Sequence, residues 1–207
     1  MKPGACGITI RPAREADLEA IYEINRIGWE GVCVAQFVER RYGVVAGAAW
    51  QERKAGEVDG FCRAHLDRVL VAEAGGAVVG YATSWFHAAD RFGEVCNNAV
   101  HPDWRGRGIA TALIAGVIRR LLAEGAQMLR VTTLEQDVPA QRVYQKLGFR
   151  ELGRSIMYTM SSEQATEALA RCRGAACCAP TEMAASPERS TPATTAPTGE
   201  RVRRPSC

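Results

Sequence analysis

Long apolar runs are missing: no stretch of the 207 residues approaches the ~18 consecutive apolar residues that a membrane-spanning helix needs. The first ten residues, MKPGACGITI, lack the apolar region of a secretory signal, so the expected compartment is the cytoplasm. A dominant charge sign is missing too. With 26 Lys+Arg against 23 Asp+Glu and a net charge of +3, the chain lacks the footprint of a nucleic-acid or membrane-surface binder, and neither partner is expected. Paired CxxC spacing is absent, and none of the 3 histidines lies beyond residue 101. Cys172, Cys177, Cys178 and Cys207 therefore do not read as a metal site, and no metal is expected. Cys6, Cys33, Cys62 and Cys96 are scattered singly, which favours buried reduced thiols over a disulfide framework.

Large apolar residues are missing from the end of the chain, where no Leu, Ile, Phe, Tyr or Trp follows Leu169. From Glu163 onward the composition is almost wholly Ala, Pro, Ser, Thr, Arg, Glu and Cys, too little apolar area to offset ordering entropy. This reads as one folded domain over residues 1–162 and a disordered tail over 163–207, with a frayed helix over Glu163 to Arg173.

What is present in the first 162 residues alternates between strand and helix periods. Ile8 to Pro12 alternates as a short strand, and Asp17 to Ile27 carries Leu18, Ile21 and Ile24 at helical spacing. Trp29 to Asp67 predicts two helices with a loop near Gly43 to Gly47. Arg68 to Glu73 and Ala77 to His87 read as a hairpin around Ala74, Gly75 and Gly76, with a third antiparallel strand at Gly93 to Val100. Ile109 to Glu124 is a strongly amphipathic helix ended by Gly125. Gln127 to Leu134 alternates as a strand, and Pro139 opens a helix with Ala140, Val143, Tyr144 and Leu147 inward and Gly148 as its cap. Arg150 to Glu151 and Arg154 to Met160 predict closing strands. The fold class is α/β, a mixed and mostly antiparallel sheet with flanking helices.

The passage V-H-P-D-W-R-G-R-G-I-A over residues 100–110 runs from strand through loop into helix. Gly106 and Gly108 allow close backbone approach, and the helix beginning at Ile109 points uncapped N–H groups and its positive dipole end at the same place. Arg105 and Arg107 suit phosphate geometry, so the passage reads as an anion cradle; a glycine-rich turn with two solvated arginines is the plain alternative. No third glycine completes a dinucleotide fingerprint and no GK[ST] follows, which leaves a diphosphate ligand of another kind.

Arg105-x-x-Gly108-x-Ala110 resembles the Q/R-x-x-G-x-G/A signature of the GNAT superfamily of acyl-CoA-dependent N-acetyltransferases. The passage D-V-P-A-Q-R-V-Y-Q-K-L-G-F over 137–149 resembles that family's N-x-x-A-x-x-x-Y-x-K-x-G-F motif. The opening I-R-P-A-R-E-A-D and the pair V-L-V-A-E and V-V-G-Y-A are similar as well, so the likeness spans about residues 8–160. It implies a sheet splayed between strands 4 and 5 with acetyl-CoA as co-substrate. Backbone amides of Arg105, Gly106, Arg107, Gly108, Ile109 and Ala110 would hold the pyrophosphate, and the main chain at Ala99 and Val100 the pantetheine arm.

Tyr144 matches the family tyrosine near the thioester sulfur; with a reference pKa of ~10 it is protonated at neutral pH and can donate to a thiolate whose pKa is ~8.5. Read without the family, Tyr144 is an aromatic of a core stripe. An ammonium acceptor must lose a proton before attack, and Glu94 is the candidate base, with an exposed strand-edge carboxylate as the alternative. Asp90, His87 and His101 are weaker candidates. Asp137 replaces the motif's Asn, which keeps an acceptor and loses a donor toward the coenzyme.

Trp29, Glu30, Phe37, Tyr42 and Trp50 lie in the variable segment where the acceptor would bind. Residues 11–67 carry 8 basic and 10 acidic side chains, residues 68–160 carry 11 and 8, an uneven balance that suits a cationic amine on one half and a polyanionic coenzyme on the other. The expectation is acetyl transfer to a primary amine of a small molecule or peptide by direct attack in a ternary complex. A non-catalytic acyl-CoA sensor or interaction module of the same fold is the rival.

Overall fold

The computed structural model describes residues 7–172, which fall into two units, 7–154 and 155–172. In the first, the order is β1 (Ile8–Pro12), α1 (Leu18–Gly28), α2 (Val34–Tyr42), α3 (Trp50–Ala64), β2 (Val69–Ala74), β3 (Ala77–His87), β4 (Phe92–Val100), α4 (Ile109–Ala123), β5 (Met128–Val131) and α5 (Val138–Lys146). The strands form one sheet in the order β1-β2-β3-β4-β5. The first four are antiparallel, as short connections allow, and β5 runs parallel to β4 because α4 carries the chain back across the sheet.

Each face of the sheet buries its own core. Leu70, Ala72, Val79, Ala82 and Val95 point to α4 and α5, where Ile109, Leu113, Ile114, Val117, Leu121 and Tyr144 meet them. Val69, Val71, Tyr81 and Ala99 point to α1 and α3, against Leu18, Ile21, Ile24, Val58 and Cys62. Alternation along β2 separates the two sets, as the pleat requires, whereas in β3 an extra residue at Val79 puts it on the face opposite Tyr81. Gly93 stands where α4 crosses closest to β4: a Cβ there would lie 2.8 Å from Leu129 Cδ2 and 3.0 Å from Leu121 Cδ1.

The start of α1 is fixed electrostatically. Asp17 accepts from the Arg14 amide at 2.7 Å and from the Arg11 guanidinium at 2.7 and 2.9 Å, while Arg11 Nε also donates to Glu73 on β2 at 2.7 Å. The guanidinium holds the buried Asp17 carboxyl below the ordinary carboxylate range. A carboxylate depressed in the folded state stabilises it above the unfolded value near ~4, and that contribution disappears as pH falls through the lowered folded value. Asp17→Asn is expected to cost about 1.5 kcal/mol at pH 7. It also flattens the acid limb of stability below pH ~4, which urea melts from pH 7 to pH 2.5 would read.

Two expectations fail here. No strand forms over Arg150 to Glu151 or Arg154 to Met160; these residues are irregular, and Ile156, Met157, Tyr158 and Met160 are exposed. Alternation reports that a segment suits a pleated surface, but a strand exists only through its ladder, and among the described residues the sheet ends at β5. The strand expected over Gln127 to Leu134 is also shorter, Met128–Val131.

In the second unit, α6 (Ser162–Cys172) occupies the place of the helix expected over Glu163 to Arg173. Ser161 Oγ accepts from the Gln164 amide at 3.1 Å and Gln164 Oε1 from the Ser161 amide at 3.0 Å, a reciprocal capping box. The rest of the expected tail, with Cys177, Cys178 and Cys207, lies outside the described residues, as does Cys6. Cys33 and Cys62 are buried as expected of structural thiols, and burial pushes the Cys62 thiol up to about 12. No helix of the described residues is long and apolar enough to cross a membrane.

Candidate functional site

The site is organised along β4. Pairing with β5 joins Phe92 to Met128, Gly93 to Leu129, Glu94 to Arg130 and Val95 to Val131, and goes no further, so Cys96 to Val100 have no β5 partner. On the other side β4 stays paired with β3 through Val100, but with a register shift between Ala82 and Ser84 that leaves one extra β4 residue at Cys96–Asn97. A bulge bends its strand and increases local twist, and this one sits where the two strands separate. Adjacent asparagines at 97 and 98, poor strand formers, were the sequence signal for it.

The open side of β4 is defined by hydrogen-bond alternation. The His101 amide donates to Val79 O at 2.9 Å, which turns the main-chain groups of Ala99 toward β3 and those of Asn98 and Val100 toward the gap. Of the two residues expected to present main chain to an extended arm, Val100 does and Ala99 does not; Asn98 takes that place. The Ala99 side chain instead packs with α1.

Asn98 also reaches across the gap, donating from Nδ2 to the Tyr144 hydroxyl at 3.2 Å. Tyr144 is buried on the inner face of α5, with its ring edge-on to Phe149 at 6.1 Å between centroids, so core packing and a polar tip occur together. Burial raises the phenol above its ordinary value, with the Asn98 hydrogen bond opposing and the Asp137 charge adding to the rise. Because the hydroxyl oxygen accepts from Asn98, its own proton remains available to donate.

Past Val100 the chain enters the loop expected to be an anion cradle. His101 closes a 3-10 turn through Nδ1, which accepts from the Asp103 amide at 3.3 Å, and this gives it a structural role. Gly106 and Gly108 have φ of +76° and +81°, in the left-handed region that favours glycine. Gly108 caps α4 without a side-chain partner, so the first turn of this 15-residue helix presents its N–H groups at Ile109 and Ala110 uncapped. Both arginines are engaged by main-chain carbonyls. Arg105 donates to Gly28 O at 2.6 Å and Val100 O at 3.2 Å, tying α1 to the end of β4, and Arg107 donates to Asp103 O at 3.1 Å over the Trp104 ring. Positive charge stands beside the amides, while the guanidinium forks are turned to carbonyls. Asp137 caps α5, accepting from the Ala140 amide at 3.2 Å and Thr133 Oγ1 at 3.3 Å.

Glu94 lies at the paired end of β4, six residues or about 20 Å of extended chain before Val100, with the Asn98–Tyr144 contact between them. It is 9% exposed, contrary to a strand-edge carboxylate. Its Oε1 accepts from Arg130 Nη2 at 3.1 Å and Nε at 3.3 Å, and Oε2 lies 3.5 Å from His87 Nε2. Arg130 carried no motif signal and is placed by the parallel register alone.

A buried polar network secures the α1 and α3 side. Asn25 Oδ1 accepts from Tyr81 at 2.6 Å and from Trp29 Nε1 at 2.8 Å, the Trp29 ring lies 4.7 Å from Lys54 Nζ, and Lys54 donates to Asn97 Oδ1 at 2.7 Å in the bulge. Helix α3 is thereby pinned to the irregular part of β4. Trp50 is buried at the start of α3, and Phe37 and Tyr42 lie beside Arg40 and Arg41 on α2.

Residues 18–149 match the acetyltransferase (GNAT) family model. An acetyltransferase of Yersinia enterocolitica is 36% identical over 80 residues, 39% of this chain and 55% of the relative, so the chain spans about half the length of the curated relatives it matches. Among solved structures, the PaiA N-acetyltransferase of Thermoplasma acidophilum in complex with coenzyme A superposes with a TM-score of 0.59 at 19% identity, covering 72% of this chain and 93% of that one. The ribosomal-protein-S18-alanine N-acetyltransferase of Escherichia coli gives 0.53 at 20% identity, covering 75% and 86%. The two structures share the fold, and a family model that takes in both the glycine loop and the Tyr144 helix decides the rest: the chain belongs to the GNAT family of acetyltransferases.

Proposed function

We propose that the protein transfers an acetyl group from acetyl-CoA to a primary amine of a small molecule or peptide, by direct attack within a ternary complex. The observation that carries this reading is the parting of β4 from β5 beyond Val95, with the Asn98–Tyr144 pair at the gap. An exposed strand edge of this kind takes an extended arm as an added strand, here through the main chain of Asn98 and Val100. Amides from Arg105 to Ala110 then hold the pyrophosphate, with Arg105 setting the loop and Arg107 adding charge. When bound, acetyl-CoA supplies an activated thioester with a thiolate leaving group.

Tyr144 stabilises that leaving group as a hydrogen-bond donor. A phenol above ~10 keeps its proton against a thiolate of pKa ~8.5, so donation, rather than complete transfer, describes its work. Glu94 receives the proton of the acceptor ammonium, directly or through water, while Arg130 orients the carboxylate. The acceptor enters from the side of α1 and α3, where residues 11–67 carry the acidic excess.

Thiol release from acetyl-CoA across aminoglycosides, polyamines, amino acids and N-terminal peptides tests the reading; the last class includes the alanine N-terminus that the Escherichia coli neighbour's name specifies. One class raising release above the rate without amine is the expected result. Binding of acetyl-CoA with no release under any amine would instead favour a non-catalytic acyl-CoA module. Gly108→Ala is expected to weaken acetyl-CoA binding about ten-fold by calorimetric titration, since a left-handed L-residue costs about 1 kcal/mol and a relaxed loop must be re-strained on binding.

A further inference from the structure

His87 closes β3 opposite Phe92, and its Nε2 is buried with no hydrogen-bond partner, 3.5 Å from Glu94 Oε2. The His87 side chain as a whole is 24% exposed. A buried nitrogen without a hydrogen-bond partner calls for an explanation, and the oxygen facing it is Glu94 Oε2, which Arg130 leaves open. Glu94 thus has two sides, one fixed by a permanent cation and one turned to an imidazole nitrogen. Other charged or titratable groups toward this corner are Arg130 from β5, with its guanidinium over the Phe92 ring, and His65, just after α3, and Arg68 across the Trp85 ring.

Resting on the proposed acetyl transfer, we propose that His87 is a positioning and relay residue that drains the proton collected by Glu94. A base that takes one proton from each acceptor must be emptied every turnover. The proton leaves the acceptor nitrogen and binds Glu94; it then passes from Oε2 to the bare Nε2 of a neutral ring protonated on Nδ1. Carboxylate and imidazolium form as the 3.5 Å separation contracts toward a ~2.8 Å hydrogen bond. Loss of the Nδ1 proton to water restores a neutral ring, whose tautomer resets by exchange with solvent. No oxidant, metal or further reactant enters.

The test uses the full chain. By 15N-detected titration, Glu94→Gln is expected to lower the His87 midpoint by about one unit, a ten-fold loss of proton affinity from removing the facing charge. An unchanged midpoint overturns the coupling, whatever the turnover. In kinetics, His87→Ala is expected to lower kcat about ten-fold with acetyl-CoA affinity unchanged, and free imidazole to restore most of it without accelerating the parent protein. His87→Gln, which can hydrogen-bond Glu94 but cannot carry a proton, is expected to be as slow as His87→Ala. Parental turnover in either variant, or a loss that imidazole does not rescue, overturns the relay. If Glu94→Gln is slow while His87→Ala is not, only the relay falls; if no amine in the panel releases thiol, acetyl transfer falls and the relay with it.

Discussion

Tyr144→Phe is expected to lower kcat about 100-fold while leaving the acetyl-CoA dissociation constant within two-fold of the parent, the magnitude typical of removing one donor from a developing anion. The substitution deletes one oxygen. Ring packing against Phe149 survives, and Asn98 loses an acceptor while keeping its other hydrogen bond, to Cys96 O at 3.3 Å. Stability should therefore change by well under the effect on turnover, about 1 kcal/mol for one lost buried hydrogen bond. Pre-steady-state acetylation of the amine identified by the panel, with calorimetry for the coenzyme, separates the two quantities. Unchanged turnover would remove Tyr144 from the chemistry and return it to a core role.

Gly93→Val is expected to destabilise the first unit by about 3 kcal/mol in urea melts, at the upper end for overpacking. The added atoms have nowhere to go: Leu129 Cδ2, Leu121 Cδ1 and Leu121 Cβ stand at 2.8, 3.0 and 3.1 Å from the first of them. Relief requires α4 to lift or β5 to slide. Either movement acts on the four-residue ladder between β4 and β5 that closes one end of the gap. The same variant should lose acetyl-CoA affinity beyond what its unfolded fraction explains, which binding measured well below the melting temperature would show. Gly93→Ala, with one methyl, should fall between the two.

Much of this architecture is legible in the residues. The period-four stripe of Ile109, Leu113, Val117 and Leu121 fixes α4, and Gly75–Gly76 fixes the β2–β3 turn, because each depends only on neighbours in sequence. The glycine pair at 106 and 108 was legible for the same reason: the φ values it requires are local. What failed depended on partners. Arg154 to Met160 alternates like a strand, but alternation does not supply a neighbouring edge. Arg130 is unremarkable as a residue and matters because parallel register sets it beside Glu94. That the main chain of Ala99 faces β3 and that of Asn98 the gap was not legible, because main-chain direction depends on which pairs of the ladder are bonded, and side chains carry no record of that. Arg105 looked like a phosphate ligand by charge, whereas its geometry makes it a brace between two carbonyls.

The extra residue at Cys96–Asn97 has a consequence for how this strand can change. In a regular strand, even positions share one face, and Glu94 would sit with Asn98 and Val100. The bulge exchanges odd for even, so that Glu94 shares a side with Asn97 and Ala99, toward α1 and α3, while Asn98 crosses to meet Tyr144 on α5. A single-residue deletion here would not shorten a loop; it would exchange which side chains face α1 and α3 and which face α5. Insertions and deletions are tolerated at most strand ends, but in this one dipeptide the spacing itself is the information, and substitutions keep Asn97 toward α3 and Asn98 toward α5.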